Sequence, residues 1–550
     1  MDSNTQEKVP CADPLQEVRI GRGRLRSLWQ ATAAFLLIAG VVIPLPAQQS
    51  RAGYERTILS IQQLIQNGDL SSAKTQLTVA GRQFPADGGL ENLQGVVEIQ
   101  QGRTDEAIQS FSQAIRHSPK LTGAYLNLGR VYMQSIGKEP SAPVKALDVY
   151  ERALVIAPAN AEANYQVAKL WMLKHNYQRS LEHLDKLDRT ARGKTGALTV
   201  ECADQAGLAH RAEVERTAAT LAGHPELTEA DAMEVLPALQ SAHRADLAVL
   251  ILAAAAERGP LSPAGLRNLG LAQESAGELR EARNTLERAF AADTKSTAVL
   301  MDLARVARAA KDYQGALGYL AHARDLQPAD ASLPYYFGLV SLELNLLGES
   351  RKAFGEAVRL APDNPDYNFA MGVVSSFAQD PTLALPYLQK YHALRPIDPA
   401  GVLALGTTYF RAKDFETAVP WLKQALLSAK TAGTAHYYLG RVARQQGRLD
   451  DAAAELSRAI AIKADQPDVL SEMGQVYVQM RKYPEAESKF NEAIVLNPDN
   501  YAANFGLLQL YARTGDSRRE EQAKRFDQLQ SKSQAQYQEM MRIIEIRPQE

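Results

Sequence analysis

The sequence predicts an all-α protein, a solenoid built of antiparallel helix pairs. Three observations predict it. Small residues recur every 34 positions, apolar residues fall at helical spacing inside each period, and turn-forming residues gather where each period closes. One ladder is Ala282, Ala316, Ser350, Ala384, Ala418, Ala452 and Ala486; a second, seven residues later, is Ala289, Ala323, Ala357, Tyr391, Ala425, Ala459 and Ala493. A period of this size marks a helical repeat array rather than a set of globular domains.

The stretch from Pro467 to Asn500 shows how one period works. Leu470, Met473, Gly474 and Tyr477 fall at i, i+3, i+4 and i+7, the apolar stripe of an amphipathic helix. Arg481 to Pro484 break that stripe, and Tyr483, Ala486, Phe490 and Ala493 form a second one. Asn497, Pro498, Asp499 and Asn500 close the unit as a turn. The unit therefore reads helix, tight turn, helix, loop. Gly474 and Ala486 let the two helices approach closely, and Ala493 admits the next repeat; larger side chains there would cost roughly 1–3 kcal/mol each. A lone helix pair cannot bury its apolar face, so stacked neighbours supply the core.

Leu470, Met473, Gly474, Tyr477, Ala486, Phe490, Ala493 and Pro498 resemble the tetratricopeptide repeat, whose pattern is W-x2-L-G-x2-Y, then A-x3-F, then P. The Leu-Gly pair recurs in frame at Leu128 and Gly129, Leu269 and Gly270, Leu405 and Gly406, and Leu439 and Gly440, while Trp is missing from the first slot. The resemblance implies a right-handed superhelical α-solenoid whose concave groove binds proteins or peptides. It also implies no cofactor and no catalytic residue.

The frame places repeat starts at 54, 88, 122, 161, 195, 229, 263, 297, 331, 365, 399, 433 and 467, about thirteen repeats over residues 54–500. The motif is degenerate over 195–262, and five extra residues fall near 136–143, in a Pro/Gly-rich stretch between two helices. One elongated array is the expectation, with two halves hinging at 195–262 as the alternative. Residues 501–550 read as a last first helix and a C-terminal capping helix, with an apolar patch at Met540, Met541, Ile543 and Ile544.

Residues 1–47 do not fit the repeat. Arg19, Arg22, Arg24 and Arg26 precede an apolar run from Leu28 to Ile43, and Pro44, Pro46 and Ala47 follow. This is the arrangement of a secretory signal peptide cut after Ala47. The run is shorter than the roughly 20 residues of a spanning helix. An uncleaved N-terminal membrane anchor is the alternative, because Leu45 is not a small residue and the region before the run is long. The expected location is thus periplasmic or secreted.

A net charge of −2 and the absence of array-scale basic clusters give no case for nucleic acid as a partner. The chain has no H-E-x-x-H, C-x-x-C, G-x-S-x-G or Walker A motif, and its nine histidines are scattered without metal-ligand spacing. Cys11 and Cys202 are the two cysteines; Cys202 reads as a small buried hydrophobe. No stretch outside the repeats is long enough for a separate enzyme domain.

By the resemblance, residues one, four and five after the glycine slot, and the one three before it, face the groove. That selects Arg305, Arg308, Tyr335, Phe369, Phe410, Tyr437, Arg441, Arg444 and Phe505. Arginine forks suit carboxylates, and aromatic rings supply anchor area. The competing reading is that the rings pack on neighbouring first helices and the arginines are solvated. Asn127 and Asn268 stand two before the glycine, too few to form an asparagine ladder. The leading expectation is a non-catalytic, exported interaction scaffold. An accessory subunit of a polysaccharide-export or outer-membrane assembly or secretion system is the alternative, and an enzyme is a distant third.

Overall fold

The computed structural model describes residues 48–545, with side chains over 53–532. The export segment and the side chains of Met540, Met541, Ile543 and Ile544 lie outside that range. The described chain is all-helical, and it divides into two compact units at Leu261/Ser262.

The first unit begins with the pairs Gln48–Gln66 with Leu70–Gln83, Gly88–Gln100 with Thr104–His117, and Thr122–Gln134 with Ala142–Ile156. Ala161–Leu173 then pairs with the short helix Tyr177–Leu184, and one turn, Arg189–Arg192, follows. Thr195–Gly207 with Arg211–Gly223 and Glu229–Ser241 with Ala245–Arg258 complete the unit. The second unit runs through Pro263–Ser275 with Leu279–Ala292, Thr297–Ala309 with Tyr313–Leu326, Ser332–Glu343 with Leu347–Leu360, and Pro365–Phe377 with Pro381–Leu394. Pro399–Arg411 with Phe415–Ala425, Ala429–Gln445 with Leu449–Ile462, and Pro467–Gln479 with Tyr483–Leu496 follow, and it ends in Tyr501–Thr514 and Arg519–Glu545.

Local sequence explains the helix ends. Asn160, Asn364, Asp398 and Asn500 cap first helices, each side chain accepting from a backbone N–H in the first turn. Pro263, Pro365, Pro399 and Pro467 open first helices where the missing N–H costs nothing. The tight turn inside each pair holds one residue in the left-handed region. In the first three pairs these residues are Gly68, Gly102 and Gly137, and from there on they are His175, Ala209, His243, Gly277, Lys311, Asn345, Gln379, Lys413, Gly447 and Arg481, spaced by 34 from His175 onward. Five of these thirteen are glycine, and at the other eight packing of the pair imposes this backbone on residues with a side chain.

One contact recurs within the pairs. A Cβ added at Gly95, Gly338 or Gly474 would meet the ring of Phe111, Phe354 or Phe490 at 2.5–2.6 Å, and at Gly270, Gly372, Gly406 or Gly440 it would meet Leu286, Leu388, Leu422 or Leu456 at 2.6–2.9 Å. The partner is always sixteen residues on; at Gly129 it is Tyr150, twenty-one on, because the five extra residues lengthen the turn. All seven rungs of the first ladder, from Ala282 to Ala486, are buried beside this contact. Ser350, the polar rung, satisfies its hydroxyl by donating to the Gly338 carbonyl at 2.8 Å.

Cys202 stands in the glycine slot of the weakest repeat, with Ala218 in the register of the large residue; both are fully buried. A larger residue in the slot is thus matched by a smaller one opposite, the kind of swap a core tolerates. Burial pushes the Cys202 thiol up to about 12, which keeps it protonated and unreactive.

Nearby, Asp204 is fully buried and neither carboxylate oxygen has a hydrogen-bond partner. The Ser180 hydroxyl, which could relieve it, donates to the Ala168 carbonyl at 2.8 Å. Burial pushes Asp204 up to about 8.

The Arg519–Glu545 helix covers the last repeat. Phe526 packs on Tyr501 and Phe505 at 4.7 and 5.4 Å, and Gln522 donates to the Asn504 carbonyl at 3.0 Å. Among the described residues no helix is long and apolar enough to cross a membrane.

Two outcomes follow. Gly474→Ala drives a methyl into the Phe490 ring and is expected to lower stability by about 1–3 kcal/mol in chemical denaturation. The raised Asp204 pKa means the folded state holds a proton that the unfolded chain releases. Stability is therefore full below about pH 4 and falls as pH rises towards about 8. Asp204→Asn removes that loss, so its melting temperature should exceed the wild type's most at pH 8–9 and converge with it near pH 4.

Candidate functional site

Second helices bury their ladder residues, so what distinguishes one repeat from the next is carried by the first helices. Consecutive first helices touch through side chains, and the second unit concentrates arginines and aromatic rings there.

Arg267 and Arg305 both bind Asp302, Arg305 at 2.8 Å, and Arg305 also reaches Glu274 at 2.9 Å. Arg308 crosses to the next first helix and donates from Nε to Glu343 at 2.8 Å. A cavity of about 220 Å³ opens here, lined by Met301, Ala304, Leu320, Leu339 and Val340, with Tyr336 and both arginines at its edge. It lies where alanine replaces the slot glycine, and both members of the slot contact, Ala304 and Leu320, line it. The cavity is smaller than the roughly 300 Å³ of a small-molecule site and has room for a single apolar side chain.

The aromatic positions are packed. Tyr335 lies 4.9 Å from Tyr367 and 5.7 Å from Phe354. Phe369 lies 4.7 Å from Tyr391, the ring that stands on the second ladder in place of alanine. Phe505 is 38% exposed and is partly covered by the C-terminal helix through Phe526.

The densest cluster spans Pro365–Phe377, Pro399–Arg411, Ala429–Gln445 and Pro467–Gln479. The Arg441 guanidinium lies over Phe410, Tyr437 and Tyr438 at 4.7, 5.4 and 5.5 Å. Phe410, only 8% exposed, is the floor of this cluster rather than a groove-facing ring. Burial pushes the Tyr437 phenol up to about 12, against the lowering effect of Arg441. Arg444 binds Glu472 closely, whereas Arg441 approaches the same carboxylate only to 3.7 Å and its Nε has no hydrogen-bond partner.

All four arginines selected from the sequence therefore have a carboxylate neighbour on an adjacent helix or their own, and the rings pack on one another. The sequence reading missed Arg411 and Phe377. Both stand five after a glycine slot, a position the frame itself marks. The Arg411 guanidinium lies 4.1 Å from the centroid of Phe377 and donates to Ser376 Oγ at 3.1 Å and Tyr438 Oη at 3.4 Å. Ser376 also accepts from the Thr408 hydroxyl at 2.9 Å. In the first unit the corresponding contacts are Asn127 to Asn92 at 2.9 Å and Arg130 to Glu162 at 2.6 Å. Among the described residues no group of three or more His, Cys, Asp or Glu could hold a metal ion.

Models of the tetratricopeptide repeat match residues 274–331, 301–365, 403–467 and 471–523, and a further repeat model matches 95–135. Residues 95–135, 274–365, 403–467 and 471–523 thus match the tetratricopeptide repeat. Solved structures similar to it include the yeast Tom70 structure, 16% identical over 83% of this chain and 95% of that one with a TM-score of 0.37. The anaphase-promoting complex hetero-tetramer Cut9-Hcn1 is 16% identical over 83% and 90%, also at 0.37. YrrB, described as a tetratricopeptide repeat protein with an unusual peptide-binding site, is 20% identical over 40% and 95% with a TM-score of 0.24. No curated protein matches the chain. Tetratricopeptide repeat proteins are generally non-catalytic scaffolds that bind protein or peptide partners.

Glu472, only 9% exposed, binds Arg444 closely and lies 3.7 Å from Arg441. Glu472→Gln leaves them uncompensated and is expected to cost about 1–3 kcal/mol. Urea denaturation of the variant, compared at low and high salt, measures the loss.

Proposed function

We propose that the chain is an exported, non-catalytic scaffold whose second unit holds extended peptide segments of partner proteins along its first helices. The observation that carries this reading is the run of arginines and aromatic rings from Arg305 to Arg444 on consecutive first helices, away from the buried ladders. Stacking alone does not require it, since other first-helix positions in the same frame are Val, Thr, Gln or Ala. Rings in this arrangement offer rigid contact area, and guanidiniums offer directed donors to backbone carbonyls and carboxylates. The cavity beside Arg305 and Arg308 adds room for one apolar side chain. Export rests on the Arg-rich, apolar and Pro/Ala-ended pattern of residues 19–47.

Arg441→Ala with Arg444→Ala is the test. The double variant should capture partners from a periplasmic crosslinking experiment at least tenfold less efficiently while its circular dichroism stays that of the wild type. Unchanged capture with unchanged helicity would reject this face as the binding site.

A further inference from the structure

The first-helix arginines of the second unit differ in how their charge is met. Arg267, Arg305 and Arg308 are held by Asp302, Glu274 and Glu343, three cations against three carboxylates. The cluster further along the unit is not balanced. Glu472 binds Arg444 closely and reaches Arg441 only at 3.7 Å, and Arg411 pairs with neither it nor any other carboxylate among the described residues. Asp468, on the same helix as Glu472, accepts from Asn500 Nδ2 at 2.8 Å and pairs with none of the three. Among the described residues Arg411 makes no ion pair; its hydrogen bonds go to two neutral hydroxyls.

Those hydroxyls are organised. Ser376 and Thr408 are buried, and their mutual hydrogen bond fixes the oxygen that Arg411 uses. Tyr438 Oη accepts from Arg411, so its own proton remains free to donate. Two of the five guanidinium N–H groups of Arg411 are engaged, and the plane is held against Phe377. Phe377 is itself 58% exposed. A fixed guanidinium without an ion pair, a free phenolic proton and a second guanidinium whose carboxylate neighbour stands 3.7 Å away leave donor capacity unmet.

We infer that Arg411, Arg441 and Tyr438 form an anion site that receives an acidic side chain of an extended peptide, with Phe377 as the apolar surface beside it. This rests on the peptide-binding reading above and names the ligand's chemistry. A carboxylate fits because the surplus is cationic and planar forks bind carboxylates in two-pronged fashion. The exposed ring beside the charge favours a peptide over a free inorganic anion, which would leave Phe377 without a contact.

The test is selection of short random peptides displayed on phage against the full chain. The selected peptides are then synthesised with each Asp or Glu also replaced by Asn or Gln. Enrichment of acidic residues is expected. Amide replacement and Arg411→Gln should each weaken binding by about 10- to 100-fold. Arg411→Lys, which keeps charge but loses the fork, should weaken it less than Arg411→Gln, and inorganic phosphate should compete poorly. Melting temperatures of both variants show whether the fold is kept. Peptides that bind equally well as amides, or that ignore Arg411→Gln in a folded variant, would overturn the anion site and leave the peptide-binding reading standing. Phosphate that displaces peptide stoichiometrically at low concentration would make the site one for a free anion instead. Failure of any peptide to enrich would remove both readings.

Discussion

The structure depends on one steric constraint, the close approach of a glycine on eight of the first helices to a large apolar residue on its partner. At Gly474 the Phe490 ring occupies the space a Cβ would need, and Gly506 of the next first helix leaves room for the same ring. Phe490 thus couples a pair internally and to its neighbour. There one side chain serves both contacts and ties the spacing of that pair to its neighbour's. The insertion in the first unit avoids the glycine contact. The five extra residues near 136–143 fall in the turn, and Gly129 still meets Tyr150.

Departures from the constraint explain the irregular places. With Cys202 in the slot, the large position opposite holds Ala218. With Ala304 in the slot, Leu320 stays large, and a cavity remains beside the pair. The first case exchanges volume across the contact; the second leaves volume unfilled next to two arginines. An unfilled apolar space costs stability, which makes the Ala304 site a departure that packing alone does not favour.

Fold class was legible because its signals are local and repeated. Each ladder alanine needs only its own position to be recognised, and the agreement of many rungs outweighs any one. The left-handed turn residues were not legible, since Lys311, Gln379, Lys413 and Arg481 are not turn-formers by type. Their conformation is set by how two helices pack, information that no single window holds. The helix Arg519–Glu545 belongs to the same class, since its cover of Phe505 through Phe526 joins residues outside the repeat frame. The site was legible by position and illegible by partnership. The frame selected Arg305, Arg308, Arg441 and Arg444, but their carboxylates lie on other first helices, 28 to 35 residues away, or three residues away on the same helix in the case of Asp302. Choosing by residue type at four positions also passed over Arg411, although the frame marked its place.

The division of work between the two helices of a pair then follows from packing. Second helices must present small residues at fixed rungs, so they have little freedom to vary. First helices meet their neighbours through longer side chains whose only steric duty is to pack or to pair. Charge can therefore accumulate there without disturbing the stack, provided it is neutralised. Around Asp302 it is neutralised within the chain, and the arginines tie helices together. Around Arg411 it is not, yet the guanidinium is held in place by hydroxyls and a ring that themselves belong to the stack. A cation held rigidly by neutral groups keeps its field while losing little entropy when an anion arrives. The same contacts that pack the second unit thus hold the Arg411 guanidinium in place, which is what the proposed anion site requires.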